Sequence, residues 1–123
     1  MASRLMAQER RNTPRVAERI TLAIAEGDGL IQAETNNLSA SGVYCTLERL
    51  IPPMTKLEVQ FELPHGRQRA SIRCSGVVVR VEPIIASPDR ARYHTAILFT
   101  DLAEPDRSAI SQFVRQRLSA STP

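Results

Sequence analysis

Two short stretches of this sequence carry residue types suited to gripping a flat, phosphorylated ligand. The first is Arg11-Asn12-Thr13-Pro14-Arg15, two arginines four positions apart, with Arg10 directly before it. The second is Asn37-Leu38-Ser39-Ala40-Ser41-Gly42, of the pattern (D/N)xSxxG. A guanidinium is planar and permanently charged, and it pairs bidentately with phosphate or with the O6/N7 edge of guanine. An asparagine amide both donates and accepts, and so does a serine hydroxyl. Glycine lets the chain turn and lets another group approach closely. The two stretches differ in how much they mean. The chain has 15 arginines, and the four-residue spacing occurs three times, at 11/15, 15/19 and 69/73. Random order gives on the order of two, so that spacing alone says little. The second pattern is expected only about 0.02 times by chance.

Residues that catalyse are scarce. The two histidines are far apart, His65 in a turn and His94 in a strand-like segment. No Ser/His/Asp order, carboxylate pair or metal-ligand spacing stands out. Gly27-Asp28-Gly29 is followed by a strand pattern rather than a helix, so it lacks the setting of a nucleotide loop. Cys45 and Cys74 form no CxxC pair and read as small buried hydrophobes. The chemistry points to holding a ligand, not to an enzyme, a metal site or a cofactor.

The elements that position these residues follow from composition and period. The chain has 123 residues, 42% hydrophobic and 24% charged, which suits one globular domain with one modest core. No apolar run approaches the roughly 20 residues of a membrane span. No apolar stretch precedes Ile20, so no secretory signal is expected, and the expected location is the cytoplasm. Net charge is +3. Residues 1–20 hold Arg4, Arg10, Arg11, Arg15 and Arg19 against Glu9 and Glu18, so the excess lies in an N-terminal arm and the body is neutral. Trp is absent and Phe plus Tyr total five, few for a protein that stacks many bases.

Residues 1–15 show no period and read as a flexible arm. From Ile20 the period is two. Ile20, Leu22 and Ile24 share a face, Glu26 to Gly29 is a turn, and Leu30 to Leu38 is a second strand. Val43, Cys45 and Leu47 line a third strand, and Ile51-Pro52-Pro53 is a connector. Leu57, Val59, Phe61 and Leu63 alternate cleanly with charged and polar residues. Residues 67–82 read as a long strand with Ala70, Ile72 and Cys74 inward, then Val77, Val79 and Val81, the slip suggesting a bulge near Gly76. Glu82 to Ala91 reads as a loop, and Tyr93 to Phe99 as a last strand with Ile97 and Phe99 inward. From Pro105 to Leu118 apolar residues recur at helical spacing. The fold class is mainly β: a small six-stranded antiparallel β-barrel with a C-terminal amphipathic helix. Its organisation is arm 1–15, barrel plus helix 16–118, and tail 119–123.

With the motifs in this setting, the chain resembles the PilZ domain family, receptors for the bacterial second messenger cyclic di-GMP. The resemblance runs from about Glu9 to Leu118. It includes the arm, the Gly76-Val77-Val78-Val79-Arg80 strand and the Ala96-Ile97-Leu98-Phe99 strand before the helix. The family often has glycine where Ala96 stands. The resemblance implies a cyclic di-GMP site made of Arg10, Arg11, Arg15, Asn37, Ser39 and Gly42, with Arg19, Ser41 and Arg80 as additional members. Arg11 and Arg15 would grip guanine edges and phosphates, Asn37 a guanine edge, and Ser39 a phosphate or backbone. An extra arginine at position 10 goes, in that family, with binding a stacked ligand dimer, which implies two ligands per chain. The implied role is a stand-alone effector whose arm orders over the ligand and presents a changed surface to a protein partner. Two rivals remain. A nucleic-acid-binding barrel would need a basic, aromatic body, and no nucleic acid is expected here. An adaptor that binds no nucleotide would not need both motifs intact.

Overall fold

Alternating sequences give each strand one dry face and one wet face, and six such strands hide the dry face by closing on themselves. The computed structural model describes residues 19–87 and 90–120. Strands β1 (Thr21–Glu26), β2 (Gly29–Leu38), β3 (Gly42–Leu47), β4 (Lys56–His65), β5 (Gln68–Ser87) and β6 (Arg90–Phe99) precede helix α1 (Glu104–Ala120). The strands form a closed antiparallel barrel in the order β1-β2-β3-β6-β5-β4, with β4 pairing back to β1. This is the mainly β, six-stranded architecture the alternation implies.

The interior is filled by the residues the period of two selects. Ile20, Leu22, Ile24, Val43, Leu47, Leu57, Val59, Phe61, Leu63, Ile97 and Phe99 are all buried in one cluster. The rings of Phe61 and Phe99 stack with centroids 6.2 Å apart. Cys45 and Cys74 are buried in the same cluster as free thiols. Burial pushes the Cys45 thiol up to about 12. Burial, then the charges of Asp101 and Asp106, push Cys74 up to about 11. Neither thiol ionises at neutral pH. The connector between β3 and β4 carries fully buried Ile51 into the core. It is fastened to β5, since Met54 N–H donates to Val78 O and Val78 N–H donates to Thr55 O.

Helix α1 packs against β4 and β5. Ala109, Ile110, Phe113 and Val114 complete the core from its buried face. Glu104 and Asp106 lie in the first turn, where a carboxylate suits the positive end of the helix dipole. Arg117 does not extend the apolar face; its guanidinium lies 4.7 Å from the centre of the Phe113 ring. Leu118 is exposed.

Two sequence expectations are corrected. The slip in β5 falls at Val79, not Gly76: Val78 pairs with Ile97, and the next pair is Arg80 with Ala96. Ile72, Cys74 and Val78 keep one inward phase, while Val79 faces out at 49% exposure. Gly76 hides this phase because it has no side chain. Its glycine is a packing requirement, since a Cβ there would stand 2.7 Å from Ile97 Cγ2. The second correction concerns Glu82 to Ala91. Pairing continues through Glu82–His94, Pro83–Tyr93 and Ile84–Arg92 to Ser87–Arg90. Pro83 is tolerated because β5 has passed its last β4 partner, Lys56 opposite Val77, so one side needs no ladder hydrogen bond.

Candidate ligand-binding site on the outer barrel face

The site begins with a bulge. Along β2 the register jumps from Thr35 opposite Cys45 to Asn37 opposite Tyr44, leaving Asn36 as the extra residue. Thr35 stays fully buried, and its Oγ1 accepts from Ile20 N–H at 3.0 Å. Asn36 points out. Its Nδ2 lies 2.6 Å from Thr46 Oγ1 and 3.2 Å from His94 Nδ1, tying β2, β3 and β6 together across the outer surface. The bulge changes which residues face inward: Ala33 and Thr35 are buried before it, Leu38 after it.

The corner that follows is held by its own hydroxyl. Ser39 is 6% exposed, and its Oγ accepts from Ser41 N–H at 3.1 Å. Ser39 N–H donates to Gly42 O at 3.0 Å, and Phe99 N–H donates to Ser41 O at 2.9 Å. A serine closing a turn onto the backbone two residues on is a known local device. The hydroxyl expected at a phosphate or at backbone is therefore bonded to backbone. Gly42 is also explained differently. A Cβ there would stand 2.2 Å from the Ile97 carbonyl oxygen, so the close approach that requires glycine is that of β6.

Between the corner and the β5 bulge lies a cavity of about 150 Å³. Asn37, Ser39, Ser41 and Gly42 line one side; Tyr44, Val79, Ala96 and Leu98 line the other. The register explains this set. Asn37 pairs with Tyr44, Tyr44 with Ala96, and Ala96 with Arg80, one row across four strands. The next row sets Gly42 beside Leu98. Val79 and Leu98 are large apolar side chains left 49% and 45% exposed. Asn37 Oδ1 is buried with no hydrogen-bond partner. A buried acceptor left unpaired costs about 1–3 kcal/mol, so such a group calls for an explanation. Asn37 also lines the cavity.

Among the described residues no side chain charged at neutral pH lines the cavity. Arg80 flanks it through its pairing with Ala96, with its guanidinium on Glu82. Arg19 stands apart, 3.9 Å from Glu34 with both groups exposed. Two wider hollows flank Arg19, about 720 Å³ toward β4 and about 810 Å³ toward β2. Arg10, Arg11 and Arg15, with the rest of the expected arm, lie outside the described residues. Among the described residues no cluster of His, Cys, Asp or Glu can hold a metal ion. Tyr44, Val79, Ala96 and Leu98 were not singled out as site residues by sequence. Leu98 had a signal, an apolar residue out of phase with buried Ile97 and Phe99. Val79 had none, because the slip was placed too early.

The PilZ domain model matches residues 9–116 of the chain. A comparison with curated proteins gives no match. Among solved structures, the Bacillus subtilis inhibitor of motility MotI/DgrA is similar, with a TM-score of 0.79 at 19% identity, covering 92% of this chain and 53% of that one. YcgR from Escherichia coli, solved in complex with cyclic di-GMP, gives 0.70 at 10% identity, covering 91% and 47%. The PilZ domain of YcgR alone, also solved with cyclic di-GMP, gives 0.61 at 14% identity, covering 93% and 99%. At these identities the likeness is one of fold. The chain spans about half the length of MotI/DgrA and of full YcgR.

Proposed function

The chain belongs to the PilZ domain family, and on that premise we propose that it is a receptor for cyclic di-GMP. The observation that carries the reading is Asn37 Oδ1, a buried acceptor without a partner beside an apolar-walled cavity. A guanine edge bears N–H donors that fit it. Among the described residues the cavity has no positively charged lining, and the ligand has two phosphates. Arg10, Arg11 and Arg15 are the residues that supply it, with Arg80 at the cavity's edge. The cavity is also small. Pockets that enclose a drug-sized ligand run to roughly 300–1,000 Å³, so about 150 Å³ seats one ring system and leaves the remainder to be covered. A basic arm closing over the ligand meets both needs. Ordering it costs about 1–2 kcal/mol per residue, so it orders only with ligand contacts to offset that. The covered surface is what a protein partner reads, in the cytoplasm, and no catalysis is involved.

Calorimetric titration with cyclic di-GMP tests this. Saturable heat with two ligands per chain is expected, falling to one in Arg10→Ala. A flat titration overturns the receptor. One ligand in the unmutated protein overturns the dimer alone. Binding to single-stranded DNA should be weak and steeply salt-dependent, because only the arm carries excess positive charge.

A further inference from the structure

We propose that Thr35 is a positioning residue for the basic arm: its buried hydroxyl fixes the point at which the arm leaves the barrel. The inference rests on the cyclic di-GMP reading and gives a role to a residue outside both motifs. It begins with an oddity of the core. Among the described residues the buried polar or charged side chains are Thr35, Ser39 and Thr95. Ser39 closes the corner onto its own backbone. Thr95 Oγ1 donates to Tyr93 O on its own strand at 3.3 Å. Thr35 instead reaches to the chain just before β1. Valine has nearly the same shape and no hydroxyl to desolvate, so a hydroxyl here calls for a use.

The last ladder pair of β1 and β2 at this end is Thr21 with Glu34. One residue further, Thr35 N–H donates to Ile20 O at 2.9 Å. Ile20 N–H donates to the Thr35 Oγ1 at 3.0 Å, in a buried position. Opposed residues of an antiparallel pair ordinarily exchange two backbone bonds. A side chain holds one end of this exchange, so the seam depends on which residue stands at 35. The β2 bulge follows at once, and Asn36 is itself tied to Thr46 and His94. Arg19, the residue before Ile20, is exposed. The tie is therefore where the arm's chain is gripped.

Its place suits aiming the arm. Thr35 lies two residues from Asn37 on β2, roughly 7 Å along the strand. Arg15 is five residues before Ile20, so an extended chain carries it at most about 18 Å from the tie. Shifting the root by one residue moves each arginine about 3.3 Å and turns an extended side chain to the other side. Valine at 35 would leave the Ile20 N–H buried without its acceptor. A backbone donor so placed seeks water, which loosens Ile20 from the seam. The ligand must then order one more residue, which weakens binding about five- to thirtyfold.

Two substitutions separate aiming from packing. Thr35→Ser keeps the hydroxyl and loses a buried methyl group. It should melt lower and still bind cyclic di-GMP within about threefold of the parent by calorimetry. Thr35→Val keeps the bulk and should bind about five- to thirtyfold more weakly. A glycine inserted between Glu18 and Arg19 shifts the arm and leaves the tie intact, and it should weaken binding by a similar factor. A folded Thr35→Val that binds like the parent, or a Thr35→Ser that binds as poorly as Thr35→Val, overturns the positioning role and leaves the receptor standing. No heat from the unmutated protein overturns the receptor reading and the positioning role with it. Should Thr35→Val fail to fold, the glycine insertion decides, and parental affinity there overturns the role.

Discussion

The β1–β2 turn and the β2–β3 corner are both short, polar and built around glycine, at opposite ends of one strand. They solve different problems. Gly27 sits at φ 58° with nothing within 4 Å of the position a Cβ would take. It serves a two-residue hairpin that needs a left-handed backbone and nothing more. Gly42 has no positive φ, and the Ile97 carbonyl oxygen stands 2.2 Å from the position of its missing Cβ. Asp28 in the turn is exposed, whereas Ser39 in the corner is buried and Asn37 beside it has an unpaired buried oxygen. One turn joins two strands. The other is pressed against a third strand and holds polar groups out of water.

The largest expected effect separates the two glycines. Gly42→Ala must push β6 away from the corner, and overpacking of this kind costs about 3 kcal/mol. A drop in the thermal midpoint of roughly 10 °C or more follows for a domain of this size. Gly27→Ala meets no neighbour and bears only the left-handed backbone cost of about 1–2 kcal/mol. Equal losses in the two variants would remove the distinction between them.

A smaller effect, on binding alone, concerns the charge the corner lacks. Arg11→Ala and Arg15→Ala should each weaken cyclic di-GMP binding about ten- to a hundredfold, the worth of a bidentate guanine contact. Apo melts should stay unchanged. Arg69→Ala is the control. Its exposed pair with Glu62 at 3.7 Å is worth little, and its arginine spacing is a chance match. Loss of binding in Arg69→Ala would break the assignment of the arm.

How the two regions read in sequence differs for physical reasons. The barrel was legible wherever side chains alternate without interruption, as along Leu57, Val59, Phe61 and Leu63. It became illegible where a glycine carries no phase, as at Gly76, and where Pro83 resembles a loop residue though it lies on an open strand edge. The corner was legible as a motif but not in its mechanics. Nothing in the letters of Asn37 to Gly42 says that β6 forces the glycine, or that the serine hydroxyl closes the turn. Tyr44 was illegible as a cavity-lining residue because its partners, Asn37 and Ala96, are brought beside it only by the register of three strands. Ala96, read as a mild departure outside the motifs, turns out to line the cavity.

Asn37 sharpens the comparison by setting stability against binding. A buried oxygen with no partner is a standing cost, so Asn37→Leu should leave the apo protein as stable or raise it by about 1 kcal/mol. The same change should weaken ligand binding by about tenfold or more. No exposed polar residue in the β1–β2 turn should behave this way. A variant that loses stability and still binds normally would mean that Asn37 serves the corner and not the ligand.

The smallest effect belongs to Ser39. Its oxygen accepts from Ser41 N–H at 3.1 Å, while its own proton has only the Gly42 carbonyl at 3.5 Å, a long and weak arrangement. Ser39→Ala removes the acceptor. Ser41 is exposed, so its N–H can turn to water, and the loss should stay near 0.5–1 kcal/mol. Asp28→Ala in the open turn should stay within about 0.5 kcal/mol. Binding should discriminate further. The weakly held Ser39 proton is free to rotate toward a phosphate, so Ser39→Ala should also lose severalfold in cyclic di-GMP affinity, and Ser39→Thr, which keeps the hydroxyl, should recover it. If Ser39→Ala melted lower but bound unchanged, the hydroxyl would be a strut of the corner alone, and the phosphate contacts would fall to the arm arginines.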